Sequence, residues 1–399
     1  MTIQGSAGGG SGKARRIRLG MVGGGPGAFI GAVHRIAARL DDRYELVAGA
    51  LSSDPQRART GAQELLIDED RCYADFREMA RREAARPDGI DVVSIVTPNH
   101  LHYPIARTFV EAGIHVICDK PLTTNLDDAR SLVGLVRDKG VLFALTHNYT
   151  GYPLVRLARE MVQAGELGEL RVIQAEYVQD WLTTRLEDTG QKQAAWRCDP
   201  AQAGAGGALG DIGTHAHNLA AFISGLELSE VSADIGAMVP GRKLDDNVHV
   251  MLRYTGGAKG MLWASQVAPG NENGLKVRIF GTKAGLEFRQ ENPNELRFMP
   301  LGGVPQTLTR GGSRASTSPG AGRATRIPPG HPEGYLEGFA QLYTDFAEQL
   351  AARLASRKPD PLACLVPTVE DGARGMAFIS AVVESSRANG KWVDARVAL

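Results

Sequence analysis

The chain has 399 residues, of which 43% are hydrophobic and 23% charged, with 45 basic and 45 acidic side chains. That length suits two domains of ordinary size with ample apolar material for two cores, and the balanced charge offers no field to hold nucleic acid or a membrane surface. No stretch approaches the roughly 18 unbroken apolar residues of a membrane helix, and the four cysteines, Cys72, Cys118, Cys198 and Cys364, lie far apart, as expected of reduced thiols in a cytoplasmic protein.

Residues 1–13 are rich in Gly and Ser, lack the apolar run of an export signal, and read as a flexible tail. Residues 16–22 form a β-type run that feeds into Gly23-Gly24-Gly25-Pro26-Gly27. A helical pattern follows through Phe29, Ile30, Val33, Ile36, Ala37 and Leu40, then a second β-type run at 44–51, giving a βαβ unit. Further β-type runs at 92–96, 115–118 and 142–145 alternate with helical stretches at 75–85, 103–112 and 126–139. This alternation predicts an α/β Rossmann domain over 14–147, its parallel sheet covered by helices on both faces. Beyond Gly168 the rhythm changes, with β-type runs at 170–178, 230–237, 247–254, 258–265 and 275–280. Gly-Gly and Gly-Thr turns separate the later ones, as antiparallel strands require, so an α+β domain is expected over 148–399. Within it, 302–330 is dense in Gly, Pro, Ser, Thr and Arg and reads as a long surface loop, whereas 334–354 and 368–386 read as helices.

Three stretches carry chemistry. Gly23, Gly25 and Ala28 satisfy G-x-G-x-x-G/A directly after a predicted strand. Glycine there allows positive φ and lets the backbone approach a pyrophosphate at a helix N-terminus, so the turn, with Pro26, Gly27, Phe29 and Ile30, points to dinucleotide binding. A merely flexible turn is the alternative, and the flanking strand and helix argue against it. At the end of the second strand a carboxylate would grip the ribose of NAD, and a cation or hydroxyl the 2'-phosphate of NADP. Ser52, Ser53 and Arg57 suit the second while Asp54 stands one or two residues late for the first, which leaves both cofactors open.

Thr97-Pro98-Asn99-His100 and Asp119-Lys120-Pro121 end two further β-type runs, at the carboxyl edge where open α/β sheets bind ligands. Lys120 in that place suits an ammonium that steadies a developing alkoxide. A solvated strand-end charge is the competing reading of Lys120, and an ordinary turn residue that of Asn99. Asp211 and His215 stand four apart where a helix is predicted to begin near Gly210, so they share one face and can converge on one hydroxyl. His215 would accept its proton and Asp211 would orient the imidazole; alternatively Asp211 is an N-cap and His215 a core residue. Trp196 and Arg197, with His147, Asn148 and Tyr149 at the domain junction, are candidate substrate contacts, although packing explains Trp196 equally and an ion pair with Asp199 competes for Arg197. No catalytic metal is expected, since no H-x-x-x-H pair with an acidic third ligand occurs.

Taken together, the glycine turn followed by Gly31-Ala32-Val33-His34, Thr97-Pro98-Asn99 with His102, Asp119-Lys120-Pro121, and Asp-x-x-x-His at Asp211 and His215 resemble the Gfo/Idh/MocA family, which includes inositol dehydrogenases and glucose-fructose oxidoreductase. The similarity runs from about Ile17 to Val393, with two departures: an extra Pro26-Gly27-Ala28 in the glycine loop, and Asp119 where the family usually has Glu. The resemblance implies a Rossmann domain followed by a domain on a large, open, mostly antiparallel sheet whose exposed face forms homodimers or homotetramers. It implies Lys120, Asp211 and His215 as the catalytic set, with Thr97, Pro98, Asn99, His102, Asp119 and Lys120 joining the glycine turn around NAD or NADP. The implied activity is oxidation or reduction of a ring hydroxyl of a sugar or cyclic polyol. Two rivals stand beside it: a transient sugar oxidation that allows a glycosidic bond to be eliminated, and a regulator that senses NAD(P) and a sugar without turnover. Retention of both Lys120 and His215 weighs against the regulator.

Overall fold

A computed structural model describes residues 15–399, and the tail expected over 1–13 lies outside the described residues. Five short apolar runs make the first sheet: β1 Ile17–Gly23, β2 Tyr44–Ala50, β3 Val92–Val96, β4 His115–Cys118 and β5 Phe143–Leu145. They pair in the order β2-β1-β3-β4-β5, all parallel. The connecting helices are α1 Phe29–Leu40, α2 Pro55–Glu64, α3 Phe76–Ala85, α4 His102–Glu111 and α5 Leu126–Lys139. Every residue of β3 is buried, because both faces are covered: Val93 and Ile95 share a core with α3, α4 and α5, and Val92 with α1. β2 and β3 flank β1 on opposite sides, so a crevice opens beyond the carboxyl ends of β1 and β3. The glycine turn follows β1 and Thr97 follows β3, which aims both at that crevice.

After α6 Pro153–Gln163 the chain builds a nine-stranded sheet from β6 Leu170–Val178, β7 Leu228–Gly236, β8 Asn247–Tyr254, β9 Lys259–Ser265, β10 Gly274–Gly281, β11 Ala284–Arg289, β12 Glu295–Pro300, β13 Gln306–Thr309 and β14 Val393–Asp394. Its order is β13-β12-β11-β10-β6-β9-β8-β7-β14, antiparallel except between β6 and β9. Between β6 and β7 lie α7 Lys192–Arg197, α8 Pro200–Ala203 and α9 Thr214–Ser224. Alternation sets the two faces of the sheet: in β6, Ile173, Ala175 and Tyr177 are buried, whereas Val172, Gln174 and Glu176 face outward.

The stretch 302–330 is not one long loop. It contains β13 and two short helices, α10 Ser313–Thr317 and α11 Pro319–Ala324; Ser318 caps α11 by accepting from the Ala321 amide, so the small and polar residues there serve turns and caps. Strand β11 was not expected because five of its six residues are buried, which erases the period-two pattern. The late helix α12 Tyr335–Leu354 returns to the first sheet, where Phe339, Leu342, Tyr343 and Phe346 share a core with Leu19, Val33 and Ala37. A buried polar node fixes it there: His34 Nδ1 lies 2.8 Å from the Tyr343 hydroxyl, which is 3.0 Å from Ser94 Oγ on β3. Helix α13 Val369–Arg387 packs on α5 and β7.

Burial lowers the pKa of six histidines, His34, His102, His115, His147, His215 and His217. His34, His115 and His217 fall to about 4 and His147 to about 3. Each stays neutral in the folded chain while the unfolded chain takes up its proton below pH ~6.5. Their contribution is therefore complete above that pH and is lost as pH falls toward 4. The urea midpoint is expected to hold steady above pH 7 and to drop steeply between 6.5 and 4.5, less steeply in His217→Phe. An unchanged midpoint across that window would contradict this.

Candidate active site

The nucleotide end of the site is built by glycine. Gly23, Gly24 and Gly27 have φ of +80°, +67° and +81°, which side-chain-bearing residues rarely adopt. A Cβ on Gly25 would stand 2.8 Å from the Leu51 carbonyl oxygen, and one on Gly31 only 2.4 Å from Gly24 Cα. The turn, the end of β2 and the start of α1 approach this closely only without side chains. α1 opens at Phe29 with no side-chain cap on its first amides, which suits an anionic group. From this turn a cavity of about 940 Å³ runs to Asp211 and His215. Thr97 Oγ1 and Asn148 Nδ2 are buried at its wall without a protein partner. These features fit a dinucleotide.

At the far end stands Asp211. It sits in a π-helical turn, Leu209–Gly213, that leads into α9, so it and His215 reach the same cavity. The start of this helix is held from outside: the Asp245 carboxylate accepts the Gly207 and Leu209 amides, each at 2.8 Å. A Cβ on Gly207 would come within 2.2 Å of the Asp245 carbonyl oxygen, so glycine is required there. Asp245, not Asp211, does the capping.

Asp211 is free to collect three donors. Lys120 Nζ donates to Oδ1 at 3.1 Å and also to the Asp211 carbonyl, while Arg197 Nε and Gln266 Nε2 donate to Oδ2 at 3.2 and 2.9 Å. Burial works to raise its pKa, but Arg197 and Lys120 outweigh it and hold the carboxyl well below the usual range. His215 is the reverse case. Burial lowers its pKa far below the ordinary value, Lys120 and His147 push the same way, and Asp211 only partly opposes them. The imidazole is neutral, with Nδ1 buried and unpartnered, and it packs edge-on against Tyr149 at a ring separation of 4.9 Å.

A strap, 182–204, closes the cavity and carries α7. The buried Arg242 holds its first part, donating to both Glu187 carboxylate oxygens at 3.0 Å and to the Leu182 and Thr184 carbonyls. Asn99 Nδ2 holds its end through the Ala203 carbonyl at 3.0 Å. Arg197 stacks over the Trp196 ring at 4.2 Å.

Of the residues singled out from sequence, Gly23, Gly25, Pro26, Gly27, Ala28, Phe29, Ile30, Ser52, Arg57, Thr97, Pro98, Asn99, Asp119 and Lys120 line the cavity, as do Asn148, Tyr149, Trp196, Arg197, Asp211 and His215. Three do not. Ser53 is exposed outside it, where β2 has already given way to the cap of α2; Asp54 is that cap, accepting the Arg57 amide at 2.8 Å. His102 is turned inward, its ring nitrogens 2.6 Å from the Pro121 carbonyl and 2.9 Å from that of Thr97, so it ties two loops together and does not reach the cavity. His147 lies buried behind His215, the rings 5.4 Å apart. Arg197 pairs with Asp211 rather than Asp199. The sequence reading missed Gln266, and on the cavity wall Tyr177, Gln179, Asn273 and Gln290, which arrive from strand ends far apart in the chain.

Residues 17–147 match the model of the oxidoreductase family with NAD-binding Rossmann fold, and 155–287 that of the GFO/IDH/MocA C-terminal domain. An oxidoreductase structure from Sinorhizobium meliloti is 54% identical with a TM-score of 0.86, the match covering 95% of this chain and all of that one. An inositol dehydrogenase homologue from Azotobacter vinelandii, solved with NADH and myo-inositol, is 36% identical with a TM-score of 0.88, covering 96% and 98% of the two chains. Levoglucosan dehydrogenase of Pseudarthrobacter phenanthrenivorans is 30% identical over 71% of this chain and 76% of its own. The chain belongs to the GFO/IDH/MocA family of oxidoreductases.

Proposed function

From that membership we propose that this chain is a dehydrogenase or reductase acting on one ring hydroxyl of a sugar, a cyclic polyol or a sugar derivative with NAD or NADP. The supporting observation is the single cavity that joins the glycine turn to Lys120, Asp211 and His215. A bound nicotinamide supplies the hydride donor or acceptor. The neutral His215 takes the hydroxyl proton, and Lys120 stabilises charge developing on the same oxygen. Asp211, held by three donors, has as its part the positioning of Lys120 and Arg197. Tyr149 and Trp196 wall the substrate in. The site has both the lysine and the histidine, which favours turnover over a sensing role; net formation of NAD(P)H from free sugar separates a dehydrogenase from a transient oxidation.

His215→Ala is expected to lower turnover by ~10²- to 10⁴-fold, the usual worth of a positioned base, with nucleotide affinity, read by fluorescence titration, unchanged. In the native protein kcat/KM should not decline between pH 7.5 and 6, because the depressed pKa keeps His215 in its proton-accepting form there. Near-native turnover in the variant, or an acid limb near 6.5, would sink the base assignment.

We further propose that the outer face of the nine-stranded sheet joins copies of the chain into a homodimer or homotetramer. Met251 and Met261 are register partners, 54% and 50% exposed, beside a stacked His249–Trp263 pair, an apolar centre of the kind that self-association buries. Light scattering should give a dimer or tetramer mass for the native chain and a monomer mass for Met261→Glu; a native monomer would refute it.

A further inference from the structure

Beyond His215 the cavity ends on a wall where β6 and β10 lie side by side in antiparallel register. Asn273 is its centre. The Asn273 Oδ1 accepts from the Tyr177 hydroxyl at 2.7 Å and from Gln179 Nε2 at 2.8 Å, and its Nδ2 donates to Gln290 Oε1 at 2.9 Å. The Tyr149 and Tyr177 hydroxyls are 2.6 Å apart. Since the one proton of Tyr177 goes to Asn273, Tyr149 must donate to Tyr177, which leaves its oxygen as an acceptor. Each carboxamide nitrogen carries two protons and gives one of them to the network: Asn273 to Gln290, Gln179 to Asn273, and Gln290 to the Tyr152 hydroxyl at 3.3 Å. One N–H on each of Gln179, Asn273 and Gln290 is therefore left over from these bonds, on side chains that line the cavity together with Tyr149.

The wall thus offers donors and acceptors together and no charge. The cations on this cavity near the reacting end stand apart from the wall: Lys120 and Arg197 pair with Asp211, Lys120 keeping one N–H for the reacting oxygen, and Lys192 is exposed on the strap. We propose that this wall selects an uncharged polyhydroxylated ring over carboxylated or phosphorylated sugars, and that Asn273 is the residue that sets this specificity. A hydroxyl both donates and accepts, and so can meet leftover N–H groups and the Tyr149 oxygen at once. A carboxylate or phosphate only accepts; set against this wall it would be stripped of water opposite a phenol oxygen, with no counter-ion among the wall's own side chains, which is costly. Asn273 carries the wall because both neighbouring glutamines and Tyr177 take their orientation from its one amide.

This inference rests on the reading of the cavity as a polyol site, and a binding measurement tests it apart from turnover. Calorimetry on the NADH-saturated chain would compare myo-inositol, glucose and levoglucosan with glucuronate and glucose 6-phosphate, in the native protein and in Asn273→Leu. At least one neutral probe is expected to bind, each anion at least tenfold more weakly than the best neutral one, and Asn273→Leu should weaken the neutral probe at least tenfold with NADH affinity unchanged. Should Asn273→Leu fail to fold by circular dichroism, Gln290→Leu carries the same expectation. An anion bound as tightly as the best neutral probe, no neutral binding at all, or a folded variant with native affinity would each overturn the proposal. Neutral binding with no hydride transfer under either nucleotide would instead overturn the proposed function and leave the selectivity of the wall standing.

Discussion

The Asp211 carboxylate is the point on which the site is assembled. A buried anion is tolerated only when it is paired and its lone pairs are satisfied, and removing one partner of such a group typically costs about 3–5 kcal/mol. Here the partners come from three separate parts of the chain: Lys120 from the end of β4, Gln266 from the end of β9, and Arg197 from the strap. Satisfying one charge therefore fixes the first sheet, the second sheet and the strap relative to each other. The contact sits in the one cavity that the nucleotide end and the reacting end share.

The same arrangement separates the two ionisable roles. Lys120 and Arg197 keep Asp211 ionised, while burial, with Lys120 adding to it, keeps His215 neutral. A neutral imidazole beside an ammonium is what acceptance of a hydroxyl proton needs, since the cation favours the alkoxide-like oxygen and the base is empty. The histidine that was expected to touch substrate, His147, packs its ring against His215 from behind. Asp245 acts at one further remove, pinning the turn that carries Asp211 by two amides.

What the sequence made legible is what is local along it. The glycine turn, Thr97-Pro98-Asn99, Asp119-Lys120-Pro121 and the Asp211–His215 pair are short strings whose spacing already encodes a strand end or a helix face, and the structure brings them to one cavity. Being next to a cavity residue proved a weaker guide: Ser53 beside Ser52, His147 beside Asn148 and His102 just past Asn99 point elsewhere, because a step of one residue or a helical rotation redirects the side chain. The polar wall was hidden for a different reason. Tyr177, Gln179, Asn273 and Gln290 come together through the register of β6 and β10 and the turn beyond β11, which no local pattern specifies. Helix α12 was recognisable as a helix, but its apolar stripe does not say which sheet it covers, and it covers the earlier one.

The most direct test of this assembly is a double-mutant cycle on Lys120 and Asp211, reading kcat/KM of Lys120→Met, Asp211→Asn and the double variant on the neutral polyol oxidised fastest. If Asp211 acts by holding Lys120 in place, the two work as one unit and their losses do not add. The expected result is a double variant within about threefold of the worse single variant. Losses that multiply in full would contradict it, since they would mean that Lys120 works at full strength without the carboxylate that is taken to place it.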